Sequence, residues 1–154
     1  MSGHAQLFAF ENDFVEALEC IPMAVRFKLD LCAVKLSLAQ WSAFSRDERA
    51  ALLAAPCAAP DEVAAYRRRL VELVAERAHE AAKPLAAGAT VLWEQGERTP
   101  PEVRSFARSI DVPPPPDTAW RDLTSLQRFA LLKLSRDNHD NVNFVPALRE
   151  FGLL

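Results

Sequence analysis

An all-α fold, a single compact helical domain with an internal pseudo-twofold repeat, is what this sequence predicts, and three observations carry that expectation. The first is duplication. Pro22-x-x-Val25-Arg26, then Trp41-x-x-Phe44-Ser45-x-x-Glu48-Arg49-x-x-Leu52-Leu53, returns as Pro100-x-x-Val103-Arg104, then Trp120-x-x-Leu123-Thr124-x-x-Gln127-Arg128-x-x-Leu131-Leu132. The second is spacing. Pro22 to Pro100 is 78 residues and Trp41 to Trp120 is 79, in a chain of 154, so halves of about 7–78 and 79–154 fill it. The third is helix punctuation. Ser37-x-x-Gln40, Ser45-x-x-Glu48 and Thr124-x-x-Gln127 are capping boxes, each pairing a hydroxyl with the N3 amide and a return side chain with the cap.

Taken in order, Met1 to Gln6 lack periodicity and read as a loose tail, with order beginning near Leu7-Phe8-Ala9-Phe10. Phe14, Ala17 and Leu18 have helical spacing behind Asn12 or Asp13, either of which can cap a short helix ending before Pro22. Val25 to Leu31 alternates apolar and polar residues and would pass alone for a strand. Its partner in the second copy arbitrates. Val103, Phe106, Ala107 and Ile110 follow Pro100 and Pro101 at helical spacing, so both stretches are expected to be helices. Pro113 to Pro116 must be extended, and by correspondence the first-copy helix stops near Ala33, leaving Val34 to Leu36 extended.

Beyond the boxes, Asp61 to Lys83 reads as one long amphipathic helix stopped by Pro84, burying Val63, Tyr66, Leu70, Leu73 and Val74 and exposing Arg67, Arg68 and Glu72. Residues 84–99, with Gly88 and Gly96, read as the hinge between halves, with one turn near Leu92-Trp93. Phe144 to Phe151 is a closing helix that Asn143 can cap and Gly152 can end.

Composition narrows the function classes. Net charge is −3, and it is shared: residues 1–78 carry 9 basic and 11 acidic groups, residues 79–154 carry 9 and 10. With no basic arm, nucleic acid is an unfavoured partner. Cys20, Cys32 and Cys57 are odd in number and follow no signal peptide, so they read as reduced thiols of a cytoplasmic protein, and no apolar run is long enough to cross a bilayer.

Candidate chemistry is thin. Trp41 and Trp120, each four residues ahead of a cap, suit packing. Arg26, Arg49, Arg104 and Arg128 recur on otherwise apolar helices; they suit pairing with carboxylates or bare carbonyls or, more sharply, an anion site where arginines of both halves converge. The cysteines with His4, His79 and His139 lack zinc spacing, so no metal or cofactor is expected, and Cys57, beside Pro56 and Pro60, is the expected exposed thiol. The loop Arg136 to Asn143 mimics the start of a calcium loop, but Val142 and Leu148 stand where glycine and glutamate belong. His139 and Asp140 there suit a surface contact. No phosphate loop, catalytic triad signature or nucleophile elbow occurs. Residues 38–53 loosely suggest a helix-turn-helix, yet Arg46 and Arg49 are offset by Asp47 and Glu48.

Phe8-x-Phe10-Glu11, Cys20-Ile-Pro-Met23, Val25-Arg26-x-Lys28-Leu29-Asp30, Val34-Lys35-Leu36-Ser37-Leu38-x-x-Trp41, Pro56-Cys57, and Arg128 to Leu134 with Asn143-Phe144 resemble the small bacterial nitrate reductase-associated proteins. The likeness covers residues 8–70 and 118–152, and Ile-Pro-Met to Leu-Ser-Leu-x-x-Trp is its most specific part. That family is named for its gene neighbourhood, so the resemblance implies no catalytic residues; its pattern commonly has glycine where this chain has Ala33.

The expected function is therefore that of a non-enzymatic accessory protein in bacterial nitrate assimilation or molybdoenzyme metabolism. It would dock a protein partner through Arg67, Arg68 and Arg69 or through the 136–143 loop, with homodimerisation plausible from the duplication. The rivals are an anion- or metal-binding module, using the arginines or Cys20, Cys32, Cys57 and His139, and a DNA-binding regulator.

Overall fold

The computed structural model describes residues 7–11, 18–85, 96–136 and 141–154. Among them the protein is predominantly helical. The order is a 3-10 turn (Ala9–Glu11), α1 (Met23–Cys32), β1 (Val34–Lys35), α2 (Leu38–Ala43), α3 (Arg46–Ala54), α4 (Pro60–Leu73), a π turn (Val74–Ala78), β2 (Lys83–Pro84), α5 (Pro101–Ser109), α6 (Asp117–Asp122), α7 (Ser125–Arg136), a 3-10 turn (Asn141–Asn143) and α8 (Phe144–Glu150). The expectations for Met1 to Gln6, for a helix capped by Asn12 or Asp13, and for a turn near Leu92-Trp93 lie outside the described residues.

The chain divides into two compact units. One comprises Met1–Leu7 and Glu11–Ala89, the other Phe8–Phe10 and Thr90–Leu154.

In the first unit, the stretch with strand-like alternation is the helix α1. Val25, Leu29 and Cys32, at i, i+4 and i+7, are its core stripe. Its start is held by Glu11, whose buried carboxylate accepts the Met23 N–H at 2.6 Å and places a negative group at the positive end of the helix. Its stop is Ala33, at φ 57° and ψ 43°, with its N–H returned to Asp30 O. The chain then extends as expected, and β1 pairs antiparallel with β2, Val34 opposite Pro84 and Lys35 opposite Lys83.

Both boxes of this unit form: Gln40 N donates to Ser37 Oγ at 3.1 Å and Glu48 N to Ser45 Oγ at 3.1 Å, with both return bonds present. The helix expected to run to Lys83 is shorter. Regular α4 ends at Leu73, a π turn follows, and His79 at φ 57° closes it, freeing Lys83 and Pro84 for the strand pair. Pro84 is a strand residue here, not the helix stop. The predicted stripe is correct: Tyr66, Leu70, Leu73 and Val74 are buried and Val63 packs against them, while Arg67, Arg68 and Glu72 face outward.

In the second unit, α5 begins at Pro101 behind Pro100, as the paired prolines predict, and α7 packs against both α5 and α8. Thr124 and Gln127 complete the third box at 2.9 and 3.1 Å. Val103, Ala107, Trp120, Phe129, Leu131, Leu134 and Phe144 are among its buried apolar residues. Phe8 and Phe10 stack at 5.2 Å and meet Phe151 edge-on, while Phe10 N donates to Glu150 at 3.1 Å. Gly152, at φ 76°, ends α8 as expected, but Asn143 supplies no side-chain cap, because it already has helical φ and ψ.

Candidate functional site

The helices α3 and α4 meet at a cleft of about 320 Å³. Pro56 and Pro60 turn the chain between them, and Tyr66 anchors the floor by donating from its hydroxyl to Leu52 O at 2.8 Å. Leu52, Ala55, Pro56 and Tyr66 make the lining mostly apolar, and its charged groups are Glu48, Asp61, Glu62 and Arg69. Glu48 is matched by Arg77 and Arg69, so the negative field of the cleft comes from Asp61 and Glu62.

Glu48 is the structural hinge-pin of that rim. Its carboxylate accepts the Ser45 N–H, receives both Nε and a terminal nitrogen of Arg77 at 3.0–3.2 Å, and lies 3.8 Å from Arg69. The Arg77 guanidinium, followed by the Ser45 amide, holds its carboxyl down at about 2. From the sequence Glu48 is a capping residue and a counter-charge to Arg46 and Arg49. Its role on the rim depends on the π turn, which has no sequence signature and presents Arg77 to it.

The predicted arginines are placed as follows. Arg26 donates to Ile21 O at 3.2 Å, and Arg49 to Leu18 O at 2.7 Å and Ser45 O at 3.5 Å, so both serve main-chain carbonyls of the first unit. Arg104, half-buried, sits on α5, and Arg128 on α7 of the second unit. Arg67, Arg68 and Arg69 are exposed along α4, and only Arg69 reaches the cleft. His139 and Asp140 lie outside the described residues.

Cys57 is buried, not exposed, and Cys20 is the more accessible thiol. The two prolines that suggested an open loop instead hold Cys57 against α1, with Sγ 3.9 Å from Lys28 O. Burial pushes the thiols of Cys32 and Cys57 up to about 11, so neither is a ready thiolate. Lys28, missed in the sequence, is 2% exposed. Its ammonium donates to Leu53 O at 2.5 Å at the carbonyl end of α3 and sits over the Tyr66 ring, and burial brings it down to about 8. Among the described residues no cluster of His, Cys, Asp or Glu is arranged to hold a metal ion. No helix among them is long and apolar enough to cross a membrane.

Trp41 and Trp120 are fully buried and differ in one respect. Trp41 Nε1 donates to Leu18 O at 2.9 Å, the oxygen that Arg49 also reaches. Trp120 Nε1 and Arg128 Nε are buried and have no hydrogen-bond partner among the described residues.

A family model described as conserved nitrate reductase-associated protein matches residues 7–151. No curated protein and no solved structure matches the chain.

Proposed function

The chain belongs to the conserved nitrate reductase-associated protein family, and from that premise we propose that it is a non-enzymatic accessory protein of nitrate reductase metabolism, acting by docking a protein partner. The match across residues 7–151 is the observation that carries this reading. The cleft between α3 and α4 supports a place for the contact: apolar walls accept an apolar side chain, and the surrounding carboxylates favour a segment that carries a lysine or arginine beside it. Arg67 and Arg68 lie on the same helix, where they can meet acidic groups farther along the partner. The occupant is thus an apolar and basic segment of nitrate reductase or of a protein that inserts its molybdenum cofactor.

We further infer that the helix–cap–helix segments in the two units are versions of one helical unit. Phe44 and Leu123 support it, with φ −75° and ψ 151° against φ −73° and ψ 152° at equivalent positions. So do Ala33 and Asp111, 78 residues apart and both at φ 57°.

Capture from a nitrate-grown host, with the wild-type protein and with Ala65→Trp, tests the docking reading. Ala65 is exposed on the cleft wall, so the indole fills the cleft without disturbing the core. Wild-type protein should retain nitrate reductase or a cofactor-insertion factor, and the variant should lose it at unchanged melting temperature. Absence of both from the wild-type capture sinks the proposal.

A further inference from the structure

The first unit shows what a tryptophan and an arginine eight residues apart across a capped turn accomplish together. Trp41 Nε1 and an Arg49 terminal nitrogen meet on one oxygen, Leu18 O, at 2.9 and 2.7 Å. Trp120 and Arg128 have the same spacing, with a turn residue of nearly identical φ and ψ between them and a box of the same kind after it. The matching backbone turn gives Trp120 and Arg128 the same starting positions, although the unpartnered atom here is Arg128 Nε, where a terminal nitrogen of Arg49 serves Leu18 O.

The acceptor is what differs. Neither Trp120 Nε1 nor Arg128 Nε has a hydrogen-bond partner among the described residues, and both atoms are buried. The Arg128 guanidinium makes one bond, to Ser125 Oγ at 3.3 Å, and no carboxylate of the described residues pairs with it. Gly96 stands 78 residues after Leu18 and lies against this guanidinium so closely that a Cβ on it would be 2.5 Å from a terminal nitrogen. Its backbone closes over the arginine without accepting from Nε. A buried N–H without an acceptor is costly, more so when the donor is charged, and two on one helix–turn–helix segment call for an electron-rich group.

We propose that the second unit holds a binding site for a small planar oxyanion of the nitrate or carboxylate class, received by Trp120 Nε1 and the Arg128 guanidinium beneath Gly96. The planar fork of arginine matches a trigonal oxyanion, and the indole supplies one further N–H. Burial lowers the guanidinium from its ordinary value, as expected for a cation that an anion would compensate. This site stands independently of the cleft on the first unit, and neither reading needs the other.

The test is the indole region of a nitrogen–proton correlation spectrum, where each of the three tryptophans gives one signal. Titration with sodium nitrate and, separately, sodium formate at constant ionic strength should move the Trp120 signal and leave that of Trp41 in place. The same anions should raise the melting temperature by roughly 2–4 °C over matched chloride, the shift that accompanies a concentration about five times Kd. Arg128→Lys keeps the charge but removes Nε, and Gly96→Ala presses on the fork; each should abolish both responses, whereas Arg49→Lys should leave them intact. A Trp120 signal unmoved by both anions overturns the proposal, and so does a response that survives in Arg128→Lys. An equal response to sulfate overturns the planar class. Because the wild-type spectrum reports the site directly, the outcome does not depend on every variant folding.

Discussion

Residues 37–54 and 116–136 differ in sequence at most positions and build the same device: a short helix with tryptophan fourth, an extended break, a capping box, and a longer helix carrying arginine on its first turn. In the first, a loop carbonyl at Leu18, itself at φ 59°, takes both polar heads. In the second, Trp120 Nε1 and Arg128 Nε are buried, and no carbonyl takes them among the described residues. The two segments thus share their donor residues and not the acceptor. Apolar burial explains why the rings stay, since each is fully covered in its own unit. It does not explain an arginine eight residues after one of them that no carboxylate pairs with among the described residues.

The largest effects should come from emptying the two ring sites. Trp41→Ala and Trp120→Ala should each destabilise by about 3–5 kcal/mol in urea unfolding, because each removes a fully buried ring. The conservative pair separates the two segments. Trp41→Phe also breaks the bond to Leu18 O, whereas Trp120→Phe deletes a donor that has no acceptor, so the first should cost about 1–2 kcal/mol more. Equal costs would mean that the indole nitrogens are equally satisfied, and the contrast would fall.

Arginine to methionine should follow the same order at smaller size. Arg49→Met loses its contact with Leu18 O and should destabilise by about 1 kcal/mol. Arg128→Met removes a partly buried cation without a carboxylate and should be neutral or stabilising in anion-free buffer. Nitrate should then stabilise only the protein that keeps Arg128.

The two boxes also differ in their return side chain, ionisable Glu48 against neutral Gln127. Glu48 titrates at about 2 when folded and near the ordinary carboxylate value, about 4.3, when unfolded. The unfolded chain therefore binds the proton first as pH falls. Glu48 contributes stability that is complete above about pH 4.5 and is lost on the way down to about pH 2. Amide exchange across that window should rise at Ser45 N–H, which donates to the Glu48 carboxylate, while Thr124 N–H, which donates to Gln127, keeps its protection. Glu48→Gln should flatten the acid response, and an unchanged response would exclude the Arg77 fork as its source.

Much of the local structure was legible because it is written in short spacings. Capping boxes, paired prolines and the 3.6-residue stripe of Tyr66, Leu70 and Leu73 each act over a few residues, and each appears where expected. The doubtful stretch from Val25 to Leu31 is a helix, as its comparison with the better-patterned stretch after Pro100 predicts. What failed depends on contacts distant in sequence. Lys83 and Pro84 leave the expected helix because β1 offers them a partner roughly fifty residues earlier, and Cys57 is buried because α1 covers it. The cleft was invisible for the same reason: Arg69 was read as a face of one helix, and its meaning depends on Glu48 of another.

The smallest effect concerns the two positions at which the chain turns left-handed after the proline-led helices. Ala33 and Asp111 both have φ 57°, and each returns its N–H to the carbonyl three residues earlier, at 3.3 and 3.1 Å. Alanine bears the full Cβ clash there, whereas aspartate tolerates the region better through its short polar side chain. Ala33→Gly should therefore stabilise the protein by about 0.5–1 kcal/mol, net of the entropy glycine adds to the unfolded chain. Asp111→Gly should gain less than half of that. Chemical denaturation of the two single variants and the double variant decides it. Equal gains would mean that both turns are strained alike; a loss at Ala33 would mean that its methyl group makes packing contacts worth more than the clash.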